Sequence, residues 1–361
     1  FFLCLLGGLV LGLSSCEVED DGVFTPPVIF VDDTTPIDPS YTIEDPCLTS
    51  SCALQSMTLD GGSADLTMEM YASYDILRED AIWGAIKGAI IVVHGNERNA
   101  NEYFNWMANA VLAMNKQDEV VFIAPHFKTS DDVGNNSDLV FWSSNGWKRG
   151  FESGNITSNK IASYEVVDSL IQLLADKSHF PFMENIIVTG HSAGAQFTGL
   201  YAAANPVEDT LDGIEVNYVV ANSQYFFYPG AERFDAGSNQ FVIPQGCNNY
   251  TNWPYGTDAP TTYLSQFTEA DIRNRYVNRK VTYLAGSLDI STGGLLNTSD
   301  CAAVLLGENR FVRSENMLKY LDAFHSGHPH SRKVVNNVAH NASQMYNSTV
   351  GVGVLRDILG D

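Results

Sequence analysis

Ser192 is the residue of this chain best placed to act as a nucleophile. It sits in Gly190-His191-Ser192-Ala193-Gly194, directly after the apolar, β-branched run Asn185-Ile186-Ile187-Val188-Thr189 and ahead of a helix-compatible segment, residues 195–204. A serine between a strand and a helix lies on a sharp, strained turn with its hydroxyl projecting. Gly190, Gly194 and Ala195 are small enough to let the two elements approach that closely. The helix behind the serine would aim free N–H groups and the positive end of its dipole at an oxyanion growing there. By itself Gly-x-Ser-x-Gly is a weak pattern; the strand before it and the helix after it give it weight. The competing role for Ser192 is that of a structural helix cap.

This context resembles the α/β-hydrolase superfamily, and the resemblance runs from about residue 64 to the end of the chain. It implies a triad in the order serine, an acid after a later strand, and a histidine after the last strand. Lys280-Val281-Thr282-Tyr283-Leu284-Ala285-Gly286 reads as a buried strand ending in Ser287-Leu288-Asp289. Lys333-Val334-Val335-Asn336-Asn337-Val338 reads as a shorter one ending in Ala339-His340-Asn341, with a final helix over residues 343–358. The expected triad is therefore Ser192, Asp289 and His340. Upstream, Gly88-Ala89-Ile90-Ile91-Val92-Val93 runs into His94-Gly95-Asn96, the turn in which the family places its first oxyanion-hole amide. The expected donors are the backbone N–H groups of Asn96 and Ala193.

Such a set performs acyl transfer to water through an acyl-serine, and it calls for no metal and no cofactor. The imidazole takes the serine proton and returns it to the leaving group, while the carboxylate holds the ring. Asp300 rivals Asp289 for the acid, but Asp289 follows its strand end more closely. His325, His328 and His330 form a second histidine group around Gly327 and Pro329. Those spacings belong to a loop, no carboxylate or cysteine interleaves to complete a metal set, and the group precedes the last strand. His94 and His191 are expected to be packed and hydrogen-bonded, not catalytic.

The elements that must position these groups alternate. Val120-Val121-Phe122-Ile123-Ala124-Pro125 is a further buried strand, and residues 161–174 carry apolar side chains at helical spacing. The expected architecture is α/β: an α/β-hydrolase fold with a mostly parallel sheet, helices on both faces and a cap-like insertion after the sixth strand. With 361 residues, 45% of them hydrophobic, one large core suffices. A net charge of −23 excludes nucleic acid as a natural partner.

The first thirteen residues are an apolar run too short to span a bilayer, and they read as part of a signal peptide. Leu13-Ser14-Ser15-Cys16 resembles a bacterial lipobox, with Cys16 lipidated; an ordinary cleavage site is the alternative. Residues 17–46, acidic and then Pro/Thr-rich, read as a tether, and residues 47–361 as the catalytic domain. The expected location is outside the cytoplasm, lipid-anchored at the bacterial outer membrane, with that anchor the only membrane contact. Cys47 and Cys52 bracket a turn and are paired here, which leaves Cys247 with Cys301, although sequence alone does not determine connectivity.

Residues 223–279 are far longer than a simple crossover needs and form the expected cap. Tyr225, Phe227 and Trp253 within it, with Trp142 and Trp147 upstream, are candidate walls of a substrate pocket; packing of the cap is the plainer role for each. The activity expected is hydrolysis of a small-molecule or polymer-borne carboxylic ester. A serine peptidase of the same fold and a catalytically silent binding lipoprotein are the alternatives.

Overall fold

The computed structural model describes residues 40–360. Cys16, the signal segment 1–16 and most of the expected tether lie outside them. Residues 41–45, inside the stretch expected as tether, attach to the domain: Thr42 exchanges hydrogen bonds with Ile82, Glu44 pairs with Arg78, and the Tyr41 ring meets Phe182 edge-on.

The strands follow from apolar, β-branched runs. β1 (Leu54–Asp60) and β2 (Asp65–Ala72) form an antiparallel hairpin with alternating burial, as a sheet edge with one wet face should. β3 (Gly88–Val93) and β4 (Val120–Pro125) are buried at every residue, and β5 (Asn185–His191) and β6 (Glu215–Ala221) at nearly every one. That is the pattern of a parallel sheet covered on both faces. A small hairpin, β7 (Arg233–Asp235) with β8 (Gln240–Val242), intervenes before β9 (Lys280–Gly286) and β10 (Ser331–Val335). The eight main strands lie in the order β1-β2-β4-β3-β5-β6-β9-β10, parallel from β4 through β10.

Helices cover both faces. α1 (Ala100–Met114) and α6 (Thr349–Leu359) bury Phe104, Met107, Val111 and Leu355 on one side. α2 (Ser163–Ala175), α3 (Ala193–Ala204), α4 (Glu269–Asn278) and α5 (Arg310–Phe324) bury Leu170, Phe197, Tyr276 and Met317 on the other. Among the described residues no helix is long and apolar enough to cross a membrane.

Two expectations about the C-terminal region shift. The last strand ends at Val335, three residues before its expected end, and the single final helix is two, Ala342–Tyr346 and α6. Ser348 divides them: its hydroxyl accepts the Gly351 N–H at 2.9 Å and caps α6. Gly351 lies so close to the Met345 carbonyl that no side chain would fit.

The segment between β6 and β9 packs into the main core through Phe226, Phe227, Tyr228, Leu264, Ile272 and Tyr276. Both disulfides form as paired from the sequence, Cys47–Cys52 and Cys247–Cys301. The second ties the insertion to the segment after β9 across 54 residues of chain. A loop of that length would stabilise the fold by about 4 kcal/mol in the chain-entropy picture.

Candidate active site

Ser192 is the single residue between β5 and α3, and its backbone pays for the turn with φ +61° and ψ −112°. An L-residue there is strained by roughly 1–3 kcal/mol, so the surroundings must hold it. Its N–H donates to the Ala221 carbonyl on β6 at 3.0 Å. A Cβ on Gly190 would collide with the backbone of Gly194, and one on Gly194 with the Val93 and His94 carbonyls at the end of β3. These two glycines set how closely strand, turn and helix meet.

His340 Nε2 lies 2.9 Å from Ser192 Oγ, and His340 Nδ1 lies 2.7 Å from Asp289 Oδ2. A carboxylate oxygen only accepts, so Nδ1 carries the proton and Nε2 is left to accept from the serine hydroxyl. Asp300, by contrast, is exposed and interacts with Asn297 and Tyr255, away from His340. The Asp289 and His340 loops are tied together: Leu288 N–H donates to Val338 O at 2.9 Å, and Asn337 N–H to Ser287 Oγ at 2.9 Å.

At the other side of the serine, Asn96 follows β3 and Ala193 opens α3. Among the described residues, no acceptor takes the backbone N–H of either one. Two unsatisfied donors, one at a helix start beside the serine hydroxyl and one in the loop after β3, are what an oxyanion requires. The loop is clamped, since Arg98 donates to the Asn96 carbonyl at 3.1 Å while pairing with Asp132 at 2.5 Å.

No family model and no curated protein matches this chain. Many solved structures superpose on most of it, among them the following two. LpqC, a poly(3-hydroxybutyrate) depolymerase from Bordetella parapertussis, does so with a TM-score of 0.56 and 20% identity, over 84% of this chain and 90% of its own. Poly(aspartic acid) hydrolase-1 from Sphingomonas sp. KT-1 gives 0.55 and 17%, over 82% of this chain and 98% of its own. The likeness, with the strand order above, is one of backbone path. The fold is the α/β-hydrolase fold.

Within this α/β-hydrolase fold His94, His191 and His330 are buried. His94 is buried and held well below its ordinary pKa, at about 3, chiefly by desolvation. It accepts from the Phe127 N–H through Nε2, which leaves Nδ1 to donate to the Gly95 carbonyl. His191 lies under His340, ring centres 4.5 Å apart, and burial followed by the His340 charge pushes its pKa far down. A neutral His191 adds no repulsion to an imidazolium forming above it. His330 accepts from Tyr283 Oη and donates to the Tyr276 carbonyl, both within the core.

Three expected pocket walls are corrected. Trp142, Trp147 and Phe227 are completely or almost completely buried and offer no face to a ligand. Trp142 donates to the Ile161 carbonyl, Trp147 packs on His94 and Phe127, and Phe227 meets Tyr276 edge-on. Rings this large gain most by complete burial, so the plainer role prevails. Trp253 is also nearly buried, with its indole donating to the Arg149 carbonyl. Tyr225 is the one expected wall that stays half-exposed, beside Arg149.

Three residues at the site lie outside the expected set. Arg310 reaches Asp289 from α5. Asn222, at φ +52°, accepts the Gly286 N–H and donates to the Ala339 carbonyl, so it joins the ends of β6 and β9 to the His340 loop. Lys148 donates to the Asn96 side chain. A positive-φ asparagine just after a strand is a recognisable hint for Asn222; the other two come from distant segments.

Proposed function

We propose that this chain is a serine hydrolase that cleaves carboxylic esters through an acyl-serine intermediate. The observation that carries the reading is the continuous path Ser192 Oγ, His340, Asp289, at 2.9 and 2.7 Å, beside two unpaired backbone N–H groups. In the first half-reaction Ser192 Oγ attacks the ester carbonyl carbon as its proton passes to His340 Nε2. Asp289 keeps the imidazolium oriented. The Asn96 and Ala193 amides bind the oxyanion, each contributing about 3–4 kcal/mol on the scale of oxyanion-hole donors. The tetrahedral species collapses, the C–O bond breaks, and the alcohol leaves with the proton from His340. A water then repeats the sequence on the acyl-serine and releases the acid.

The two structural neighbours are named for hydrolysis of polymers, so both polymer-borne and small esters are candidate substrates. We further place the mature chain outside the cytoplasm, anchored through Cys16; the two disulfides suit an oxidising compartment.

A fluorophosphonate probe and a panel of p-nitrophenyl esters and chromogenic peptides test the activity. Labelling at Ser192 with ester turnover is expected. Folded protein that neither labels nor turns over would reject the enzyme reading, and turnover of peptides alone would reassign it as a peptidase. For the anchor, Cys16→Ser should abolish lipid labelling and membrane fractionation.

A further inference from the structure

Lys148 and Arg149 sit side by side in a short turn, Trp147–Arg149, which packs against α3. Lys148 is only 8% exposed, yet no carboxylate pairs with it among the described residues. Its ammonium donates to Asn96 Oδ1 at 2.6 Å and lies 3.4 Å from Asn145 Oδ1, two neutral amide oxygens. Burial and the neighbouring Arg149 and Arg98 lower its pKa to about 8, which leaves the amine largely charged at neutral pH. Among the described residues Arg149 is also without a carboxylate partner. Its guanidinium lies over the Tyr225 ring at 5.7 Å, and its shielded Nε finds no acceptor. Tyr225 in turn lies in the field of Arg310, the residue that touches Asp289. Lys148 thus bonds the side chain of the residue that offers an oxyanion amide, and Arg149 lies over the partly exposed ring of the insertion.

Buried charge without a partner is expensive. In a chain with 43 acidic and 20 basic residues, pairing these cations internally would have been easy. They remain available to an anion that arrives with the substrate. Because Lys148 bonds the Asn96 side chain, covalent geometry limits the distance from its ammonium to the Asn96 N–H to roughly 7 Å.

We propose that Lys148 and Arg149 form an anion subsite of the active centre, and that the ester hydrolysed carries a free carboxylate a few carbons from its scissile carbonyl. The proposal rests on the serine-esterase reading and names its substrate class. A carboxylate bound here would give the ammonium and the guanidinium an anionic acceptor in place of neutral amide oxygens and an aromatic face, which adds charge–charge attraction to the hydrogen bonds. Inorganic counter-ions do not compete through the scissile bond, so selectivity appears in turnover.

Alkyl esters followed by pH-stat test this. Monomethyl glutarate places the anion on the acyl side, with methyl valerate as its neutral counterpart. 3-Acetoxybutyrate places it on the alcohol side, with sec-butyl acetate, in which a methyl replaces the carboxylate, as counterpart. One of the two charged esters should be preferred over its neutral partner by about ten- to hundredfold in kcat/KM, the range for a hydrogen bond to a charged group. That preference should shrink as salt is raised. Lys148→Gln removes the charge but keeps a donor for Asn96, and Arg149→Gln removes the second charge; each should cut the charged-to-neutral ratio about tenfold. A wild-type enzyme that hydrolyses the neutral esters with no preference for either charged one overturns the subsite and leaves the esterase reading standing. A ratio that survives both substitutions, or charged and neutral esters failing equally in Lys148→Gln, also overturns it, the latter assigning Lys148 to holding the Asn96 loop. If a variant does not fold, the wild-type ratio and its salt dependence decide. Absence of any turnover together with absence of fluorophosphonate labelling is the different result that removes the esterase reading itself.

Discussion

The Arg310 guanidinium lies 3.5 Å from Asp289 Oδ1, while the other carboxylate oxygen receives the His340 Nδ1–H. Both side chains are buried, 4% and 1% exposed, and the Phe311 N–H donates to the Asp289 carbonyl. The acid is thus held by the first residues of α5, behind its Asn309 cap.

Arg310 acts through Asp289 and not on the substrate, which makes it a positioning residue. Arg310→Met should lower kcat by about ten- to hundredfold with little change in KM and destabilise the fold by about 3 kcal/mol, the cost of leaving a buried charge unpaired. Removing a cation from behind the Asp289–His340 pair favours the imidazolium, so the acid limb of the kcat/KM profile should move to higher pH. An unmoved limb would reduce Arg310 to a structural role.

Ser192→Ala and His340→Ala should each remove nearly all turnover, on the order of a millionfold in kcat, because these groups act as a unit. Asp289→Asn should leave somewhat more. Near wild-type rates in Asp289→Asn alongside an inactive Asp300→Asn would move the acid to Asp300. Single-turnover measurements on folded variants check the series.

Gly194 and Gly199, both within α3, respond oppositely to a methyl group. Gly194→Ala drives a methyl into the Val93 and His94 carbonyls, and a fall in stability of about 3 kcal/mol or loss of soluble protein is expected. Gly199→Ala, within α3, meets only Val220 methyl groups at 3.6 and 3.8 Å. It should gain about 0.5–1 kcal/mol from helix propensity. Thermal melts of both check the pair.

Asp168 accepts from Tyr201 and Tyr263 at 2.6 and 2.7 Å beneath α2, and burial lifts its pKa to about 6. The folded pKa lies above the unfolded one, so this contribution to stability is fully present below about pH 4 and lost as pH rises through about 6. Asp168→Asn, which never ionises, should gain roughly 2–5 °C in Tm over the parent between pH 4 and pH 7. A Tm difference independent of pH would show that Asp168 does not titrate there. Other carboxylates titrate in both proteins and cancel.

Much of the frame was legible in the chain because it depends on near neighbours. Runs such as Ala89-Ile90-Ile91-Val92-Val93 are strands whatever surrounds them, and a serine between two glycines at a strand end must turn sharply. The order of Ser192, Asp289 and His340 along the chain followed from such local signals together with the resemblance they carry; among the cysteines only Cys47 and Cys52, which bracket a turn, had a local signal, and Cys247–Cys301 was the pair left over. The tertiary structure alone decided which side chains meet across long separations. It put Arg310 behind Asp289, joined Asn222 to the His340 loop and set Lys148 against Asn96, contacts 21, 117 and 52 residues apart in sequence. It also sent Trp142, Trp147 and Phe227 into the core. Periodicity tells how a residue faces its own element, but burial of a ring or partnership of a charge depends on how separate elements stack, and that is set only when the sheet and its two helical layers close.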